Sequence, residues 1–305
     1  MGSLRDPMVG YLFAGQGSQN VGMGKDLYTA FPQAKAVFDK ADEVLGFALS
    51  ALCFEGPQEE LTKTNNCQPA IVTMSIACWQ VFKSRHPEID GYMAGLSLGE
   101  YSALVASGAL KFEDAIYLVR RRGEFMEEAA RERPGKMLSV IGLELPKVRE
   151  ICVLSNTEVA NINCPGQVVI SGSPLDIENA QKIAKEKGAK LAVILDVSGA
   201  FHSSFMKQAA VKLAVELEKA KISQPELPVI SNCNAKVALN PQEIRQNLVR
   251  QVAQSVLWED SMKLMLAEGI RNFMEFGPGK VLKGLMRRID SNAQVTNVEK
   301  KADIG

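Results

Sequence analysis

The chain has 305 residues, of which 46% are hydrophobic and 23% charged, so it can bury the core of one large domain or of a large domain with a smaller insert. Its 35 lysines and arginines balance 35 aspartates and glutamates. This zero net charge excludes a global basic field of the kind that binds nucleic acid, and we expect no nucleic-acid partner.

The cysteines and the apolar stretches indicate the cellular compartment of the protein. Six cysteines are scattered without a C-x-x-C pair or a neighbouring histidine, which argues against a metal site or a disulfide framework and fits a reducing compartment. The longest weakly polar stretch, Ala70–Phe82, is too short to span a bilayer. The opening MGSLRDP lacks the apolar core of a signal peptide, and we interpret it as a vector remnant before a native start at Met8. The sequence predicts a cytoplasmic protein without a membrane partner.

Strands alternate with helices in the first part of the chain. The patterns predict strands at Met8–Ala14 and Tyr92–Leu96, and helices at Ala34–Leu45, Gln68–Phe82 (beginning near Pro69), Glu100–Ser107 and Glu113–Ala130. This alternation is typical of a mostly parallel sheet with helices on both faces.

From Gly135 the order changes to strand, helix, strand, strand, helix, strand. The strands are predicted at 137–143, Glu158–Ile162, Gln167–Ser171 and Lys190–Val197, and the helices at 146–154 and from Ser173-Pro174 to about Lys187. A β-α-β-β-α-β order indicates a ferredoxin-like subdomain, which we assign to residues 135–203.

The remaining chain returns to the first pattern. It predicts helices at Ala209–Lys221, Pro241–Ala253 and Glu259–Ala267, strands at Val229–Asn232 and Asn272–Phe276, and a closing helix at Val281–Arg288. The predicted fold class is therefore α/β. A large α/β-hydrolase-like domain with a mostly parallel sheet would comprise residues 8–134 and 204–305, with the ferredoxin-like subdomain inserted.

A candidate nucleophile lies in the sequence AGLSLGEYSAL. Ser97 stands between Gly95 and Gly99, a G-x-S-x-G pattern that permits a sharp strand-to-helix turn and exposes the serine hydroxyl. The backbone N–H of Leu98 would then donate to a developing oxyanion. An ordinary glycine-flanked loop is the alternative, because glycine and serine are common.

A serine nucleophile needs a base, and the chain has only two histidines. His86 lies in a charged turn and is predicted to be solvated. His202 lies at the junction of the two predicted domains, where clefts form, so it is the better candidate by elimination. A core or capping histidine is the alternative at this position.

The glycine-rich segment from Gly15 to Gly24 matches no nucleotide-binding loop. Asn20 occupies the third glycine position of a G-x-G-x-x-G pattern, and Gln19 and Asp26 occupy required positions of a P-loop. A turn that offers backbone N–H groups to an anion remains possible, as does a purely structural turn.

Three consecutive arginines lie on the predicted helix Glu113–Ala130. They cannot all face solvent at 100° per residue, and Arg122 is the one expected to turn inward beside Val119 and Met126. A buried guanidinium needs an anion and suits a carboxylate. Spacing alone favours an internal salt bridge with Glu124, Glu127 or Glu128.

Seven separated motifs together resemble the malonyl-CoA:acyl carrier protein transacylases, the acyltransferases of fatty acid and polyketide synthesis. They stand in family order from Met8 to about Arg288: FAGQGSQNVGMG, AGLSLGEYSALVASGAL, RRGEFM, NINCPGQVVISG, GAFHSSFM, LVRQVAQSVLW and EFGPGKVLKGL. The resemblance implies malonyl-CoA and acyl carrier protein as partners, no cofactor and a monomer.

The resemblance also implies roles for individual residues. Ser97 would be acylated, His202 would be its general base, and Gln16 and Leu98 would supply oxyanion-hole N–H groups. The backbone carbonyl of Gln251 would orient the histidine.

For the acyl pocket, the resemblance implies that Arg122 binds the free malonyl carboxylate. Phe201 matches the form of its motif that is associated with malonyl, and Met126 and Asn163 would be further pocket residues. Two positions depart from the family pattern: Leu96 replaces the usual histidine before the nucleophile, and Ala14 replaces a proline. Neither change touches an inferred catalytic atom.

The implied function is ping-pong malonyl transfer for fatty acid biosynthesis. The alternatives are an acyltransferase that loads a polyketide synthase in trans, a serine hydrolase or thioesterase, and a non-catalytic binding module. A basic surface near the site would suit an acidic carrier protein. The last predicted helix offers four cations, for which a solvated helix face is the alternative: Lys280, Lys283, Arg287 and Arg288.

Overall fold

The computed structural model describes residues 8–304, so the predicted vector remnant in residues 1–7 lies outside the described residues. The first part of the chain contains β1 (Val9–Phe13), α1 (Lys25–Ala30), α2 (Pro32–Leu45), α3 (Leu49–Glu55), α4 (Gln58–Thr62), α5 (Thr64–Arg85), β2 (Gly91–Gly95), α6 (Gly99–Ala106) and α7 (Phe112–Glu132). The middle part contains β3 (Lys136–Ile141), α8 (Leu145–Ser155), β4 (Glu158–Cys164), β5 (Gln167–Gly172), α9 (Pro174–Glu186) and β6 (Leu191–Ile194).

The last part completes the fold with α10 (Lys207–Lys219), β7 (Ile230–Ser231), β8 (Lys236–Val237), α11 (Pro241–Ala253), β9 (Val256–Leu257), α12 (Trp258–Ala267), β10 (Asn272–Phe276), α13 (Val281–Ile289) and β11 (Gln294–Val298). None of these helices is long and apolar enough to cross a membrane.

The larger domain is built on a parallel sheet with strand order β11-β10-β1-β2. This confirms the predicted α/β class. Helix α5 packs against the sheet through an aromatic cluster in which the Trp79 ring contacts Tyr11 and Phe276 edge-on, with ring centroids 5.3 and 5.2 Å apart. Because α5 is buried on nearly all sides, its apolar residues show little helical periodicity.

The middle part forms a second sheet with the order β6-β3-β5-β4-β9. Its first four strands pair antiparallel, and two helices, α8 and α9, connect them. Strand β9 adds a parallel pairing to β4, with Asn161 opposite Val256. A short segment from the last part of the chain therefore joins this sheet, and the domain boundaries at 135 and 203 stay predictions.

Two sequence-based expectations about elements were wrong. Helix α5 begins at Thr64, five residues before Pro69, which therefore lies inside the helix. The predicted closing helix is followed by β11, a short strand at the edge of the parallel sheet, in which only Val295 and Val298 are buried. Such a short, half-exposed strand carries too little alternation to be recognised from sequence.

The proline inside α5 is accommodated by a side chain of α7. Pro69 has no N–H, so the Asn65 carbonyl loses its usual helical donor. Arg120 Nη1 donates to this carbonyl at 3.0 Å and to Asn66 Oδ1 at 2.6 Å. Arg120 thus restores the hydrogen bond that Pro69 removes and joins α7 to the start of α5.

We expect Arg120→Gln to lower the free energy of unfolding by about 1–2 kcal/mol, because the shorter side chain leaves the partly buried Asn65 carbonyl without its donor. The matched control is Arg121→Gln, since the side chains of Arg121 and Glu124 keep 37% and 31% of their surface exposed and their ion pair should contribute less than about 0.5 kcal/mol. Urea unfolding of both variants measures the difference, and equal losses would contradict the role of Arg120.

Candidate active site

Ser97 lies on a sharp turn between the end of β2 and the start of α6. Its φ of 51° is in the left-handed region that non-glycine residues rarely adopt, and such strain concentrates at functional sites. Glu100 donates its backbone N–H to the Ser97 carbonyl at 3.1 Å, which continues the turn into the helix. The structure therefore presents Ser97 as a strained strand-to-helix residue.

The two glycines of the G-x-S-x-G pattern are needed for close approach rather than for a left-handed conformation. A Cβ on Gly95 would lie 1.9 Å from the carbonyl carbon of Gly99. A Cβ on Gly99 would lie 2.2 Å from the carbonyl oxygen of Phe13 in β1. The strained backbone that the pattern predicts is at Ser97 itself, and the glycines let β1, β2 and α6 meet around it.

His202 lies against the serine. Its Nε2 is 2.8 Å from Ser97 Oγ, and its Nδ1 is 2.7 Å from the backbone carbonyl of Gln251. A carbonyl only accepts, so Nδ1 carries the proton and Nε2 is free to accept from the Ser97 hydroxyl. The structure thus brings together the three residues that the sequence analysis grouped, whereas His86 is exposed.

His202 is held in its neutral form. Burial and, after it, the positive charge of Arg122 lower the pKa of His202 from 6.5 to about 4, against the opposing effect of the Gln251 carbonyl. A neutral imidazole beside a hydroxyl can take up its proton, so the pair can act as base and nucleophile at neutral pH.

Arg122 is buried in the same site. Its Nη2 lies 3.1 Å from Ser97 Oγ and 3.1 Å from Gln251 Oε1, and its Nη1 donates to Gln68 Oε1 at 2.8 Å. Within residues 8–304 its Nε has no acceptor. The guanidinium is therefore surrounded by neutral oxygens and retains an unused donor.

The internal salt bridge that spacing favours for Arg122 is wrong. Among residues 8–304, Arg122 has no carboxylate within 4.0 Å. Glu124 pairs with Arg120 and Arg121, Glu128 pairs with Lys212, and Glu127 accepts the backbone N–H of Asn65, so each of these carboxylates has another partner. Helical spacing could not decide this, because the inward and outward faces of α7 meet different neighbours.

Two backbone donors are available near the serine. Across the described part of the chain, the N–H groups of Gln16 and Leu98 donate to no protein acceptor. Gln16 lines the cavity at Ser97, and Leu98 directly precedes the first residue of α6, where the helix dipole favours negative charge. Both N–H groups are therefore free to donate to an oxyanion, and their role as an oxyanion hole stays a prediction.

A cavity of about 480 Å³ opens at Ser97, Arg122 and His202. Its apolar wall includes Met126 and Phe201, as expected, and also Leu96, Met137, Leu195 and Val197. The unusual Leu96 thus contributes an apolar surface where the family pattern has an imidazole. Three carboxylates and a lysine also line the wall: Glu59, Glu127, Asp196 and Lys63.

The expectation that Asn163 lines this cavity was wrong. Asn161, two residues earlier on β4, is the asparagine at the wall. Two residues of strand span about 6.6 Å, and the pairing of β4 with β5 also shifts register between Ile162 and Cys164. The motif identified the correct strand but not the residue that reaches the cavity.

The sequence analysis missed three buried residues of the site: Gln68, Glu100 and Asn232. Glu100 Oε2 accepts from the backbone N–H of Asn232 at 3.0 Å and from Gln251 Nε2 at 2.6 Å. A signal was present for Glu100, because it is the only charged residue in the apolar segment 91–110. The other polar residues of that segment are serines and tyrosines. Gln68 and Asn232 carry no comparable pattern.

Glu100 titrates near neutrality. Burial raises the pKa of Glu100 more than the donors from Asn232, Gln251 and Ser231 and the charge of Arg122 lower it, and the net result is a rise from 4.5 to about 7. The donors and the charge of Arg122 therefore offset only part of the energetic cost of burying the ionised Glu100 carboxylate.

We expect this raised pKa to appear in the pH dependence of stability. The folded state favours protonated Glu100, so its contribution is fully present below about pH 4.5 and is lost as the pH rises through 7. Glu100→Gln cannot titrate, so its free energy of unfolding relative to wild type should rise by about 3 kcal/mol between pH 4.5 and pH 8. Urea unfolding across this range measures it, and a difference independent of pH would contradict the assignment.

Comparisons with known proteins agree with this geometry. Residues 10–304 match the acyl transferase domain family. The malonyl CoA-acyl carrier protein transacylase of Bacillus subtilis is 48% identical over 287 residues, which cover 92% of this chain and 90% of the relative.

Two solved structures share the whole fold. An acyl carrier protein S-malonyltransferase from Vibrio cholerae is 39% identical with a TM-score of 0.94, over 97% of this chain and 98% of that one. A malonyl-transacylase in complex with its type II PKS acyl-carrier protein is 40% identical with a TM-score of 0.95, over 97% of both chains. Sequence and fold together show that this chain belongs to the acyl transferase family, among the malonyl CoA-acyl carrier protein transacylases.

Proposed function

We propose that this protein transfers a malonyl group from malonyl-CoA to the phosphopantetheine thiol of an acyl carrier protein, through a malonyl-Ser97 intermediate. The observation that carries the proposal is Arg122, a buried cation 3.1 Å from Ser97 Oγ that lacks a carboxylate partner among residues 8–304. A substrate with a free carboxylate would supply that partner beside the nucleophile. The names of the relatives in the previous section support the same substrate pair.

In the first half-reaction His202 Nε2 takes the Ser97 proton while Ser97 Oγ attacks the malonyl thioester carbon. The N–H groups of Gln16 and Leu98 bind the resulting oxyanion. The tetrahedral intermediate collapses, the C–S bond breaks, and the proton on His202 passes to the departing thiolate of CoA. Malonyl-Ser97 remains, with its carboxylate held by Arg122.

In the second half-reaction the carrier thiol takes the position that CoA has left. His202 accepts the thiol proton, the sulfur attacks the malonyl ester, and the same N–H groups bind the oxyanion. His202 then returns the proton to Ser97 Oγ as the ester bond breaks, so the enzyme is regenerated. The reaction needs no cofactor or metal, because the residues supply the base, the nucleophile and the oxyanion donors.

Arg122 also explains why a carboxylated acyl group would be preferred. A neutral acyl chain would leave the guanidinium without an anion in a buried site, which is energetically costly. Phe201 and Met126 form the apolar wall around the short acyl chain. We assign the carboxylate clamp to Arg122, and the two apolar residues limit the space beside it.

The proposal also covers the oligomeric state, the cellular location and the pathway of the enzyme. Ser97, His202, Arg122 and Gln251 belong to one chain, which supports activity as a monomer. The six cysteines are all unpaired, which supports a reducing, cytoplasmic location. Fatty acid biosynthesis is the proposed pathway, and comparing transfer rates to carriers of both pathways tests it against polyketide loading.

Helix α13 offers fewer free cations for carrier docking than the sequence predicts. Arg288, one of its four expected cations, donates Nη1 to Gln167 Oε1 at 2.7 Å and Nη2 to the Pro165 carbonyl at 3.2 Å. It thus joins α13 to the turn between β4 and β5. The exposed Lys280, Lys283 and Arg287 remain candidates for contact with an acidic carrier.

Ser97→Ala should abolish covalent malonylation, because the alanine side chain has no oxygen to form the ester. Intact-protein mass spectrometry after incubation with malonyl-CoA measures the label, and the exposed Ser84→Ala is the control that should label normally. A Ser97→Ala protein that still takes up one malonyl group would refute the intermediate. Fast transfer with a carrier and slow hydrolysis without one would distinguish the enzyme from a hydrolase.

Arg122→Ala should lower malonyl transfer by about 100-fold, the loss expected for charge-assisted hydrogen bonds to a carboxylate, while acetyl transfer holds or rises. Steady-state kinetics with malonyl-CoA and acetyl-CoA measure the two rates. The adjacent Arg121→Ala, which removes a surface ion pair, should leave both unchanged. Equal losses for the two acyl groups in Arg122→Ala would reject the clamp.

A further inference from the structure

The strained backbone of Ser97 is held on both sides by side-chain amides. Its N–H donates to Asn232 Oδ1 at 2.5 Å, and its carbonyl accepts from Gln251 Nε2 at 2.9 Å. Asn232 and Gln251 are both fully buried. Water therefore cannot replace either amide, and the left-handed φ of 51° depends on these two contacts.

One carboxylate oxygen bonds to both of these residues. Glu100 Oε2 accepts from the backbone N–H of Asn232 at 3.0 Å and from Gln251 Nε2 at 2.6 Å. Glu100 is 1% exposed and does not line the cavity at Ser97. It lies in the first turn of α6, three residues after the nucleophile, so this contact joins the helix to two distant segments.

Asn232 has no spare polar group. Besides its bonds to Ser97 and Glu100, its Nδ2 donates to the Gly95 carbonyl at 2.9 Å and its own carbonyl accepts from the N–H of Leu257 at 2.9 Å. The side chain thus spans the turn from the end of β2 to the nucleophile. A shift of Asn232 would release both ends of that turn.

Gln251 connects the same contact to the histidine. Its backbone carbonyl accepts from His202 Nδ1 at 2.7 Å, while its side chain bonds to Ser97, Glu100 and Arg122. Displacing its side chain would alter the position of Ser97 relative to His202. A single residue, Gln251, therefore connects the Glu100 carboxylate to both partners of the 2.8 Å contact between Ser97 and His202.

We propose that Glu100 is a positioning residue for the nucleophile, which acts through Asn232 and Gln251 to keep Ser97 in its left-handed conformation and at hydrogen-bond distance from His202. It touches neither the substrate nor the reacting atoms. The role requires an oxygen that accepts two N–H groups, which glutamine also offers and an apolar side chain does not. The inference rests on the proposed function only in taking Ser97 as the reactive group.

The test compares Glu100→Met, which removes the acceptor, with Glu100→Gln, which keeps it. Two readouts are measured on each folded variant: the rate of malonyl-Ser97 formation at saturating malonyl-CoA, and the rate of Ser97 labelling by a fluorophosphonate probe, which needs no carboxylate clamp. We expect Glu100→Met to lower both rates at least about 30-fold, with the half-saturating malonyl-CoA concentration within about threefold, and Glu100→Gln to stay within about threefold of wild type.

Glu275→Met is the matched control. Glu275 is also a fully buried glutamate, and its carboxylate accepts the backbone N–H groups of Leu282 and Lys283 at the start of α13. Its loss should reduce stability without changing either rate per folded molecule. A merely structural effect of burying methionine would therefore appear in both variants, whereas positioning appears only at Glu100.

Asn232→Ala is a second test of the same proposal, because it removes the acceptor for the Ser97 N–H and keeps the hydrogen bond from the Asn232 backbone N–H to Glu100. It should lower both rates as Glu100→Met does, and the double variant should lose no more than the larger single loss. If Glu100→Met does not fold, the rates of malonyl-Ser97 formation and of probe labelling in Asn232→Ala decide whether the proposal holds.

Unchanged probe labelling in Glu100→Met, or in Asn232→Ala where that variant decides, would overturn the inference. An equal loss in Glu100→Gln would also overturn it, since the charge and not the acceptor would then matter. A wild-type protein that takes the probe but no malonyl group would refute the proposed function, and the probe rates alone would then decide the role of Glu100.

Discussion

The site depends on one backbone conformation, the left-handed turn at Ser97 between β2 and α6. The turn is short because Gly95 and Gly99 let backbone atoms approach more closely than a Cβ permits. It places the Ser97 hydroxyl between His202 and Arg122, which come from segments far apart in the chain. The remaining features of the site either hold this turn or use the hydroxyl that it presents.

The proposed selectivity of the site rests on a buried charge. Arg122 is surrounded by amide oxygens of Gln68 and Gln251 and by Ser97 Oγ, which are neutral acceptors. The same charge helps to keep His202 neutral, because it lowers the pKa of the imidazole. In the proposed function, the same residue that binds the substrate carboxylate also helps to keep the base in its reactive protonation state.

The comparison of sequence and structure shows where local patterns suffice. Strand β10 and helix α11 have the predicted bounds, and the α/β class is confirmed. Local reasoning failed at Pro69, because the donor that makes the proline tolerable, Arg120, comes from another helix. It failed again at β11, whose few buried residues leave a weak pattern.

The sequence alone determined most of the longer elements, the order of the motifs and the residue types that can carry the chemistry, because helical periodicity, glycine sterics and a scarcity of histidines are local properties of the chain. It also pointed to the pair of Ser97 and His202. Only the tertiary structure decided that Arg122 has no carboxylate within 4.0 Å among residues 8–304, that Asn161 and not Asn163 lines the cavity, and that Glu100 bonds to Asn232 and Gln251 beside the nucleophile turn. Each of these depends on which buried polar groups meet across more than fifty residues of chain, and burial makes that pairing obligatory without marking it in the local sequence.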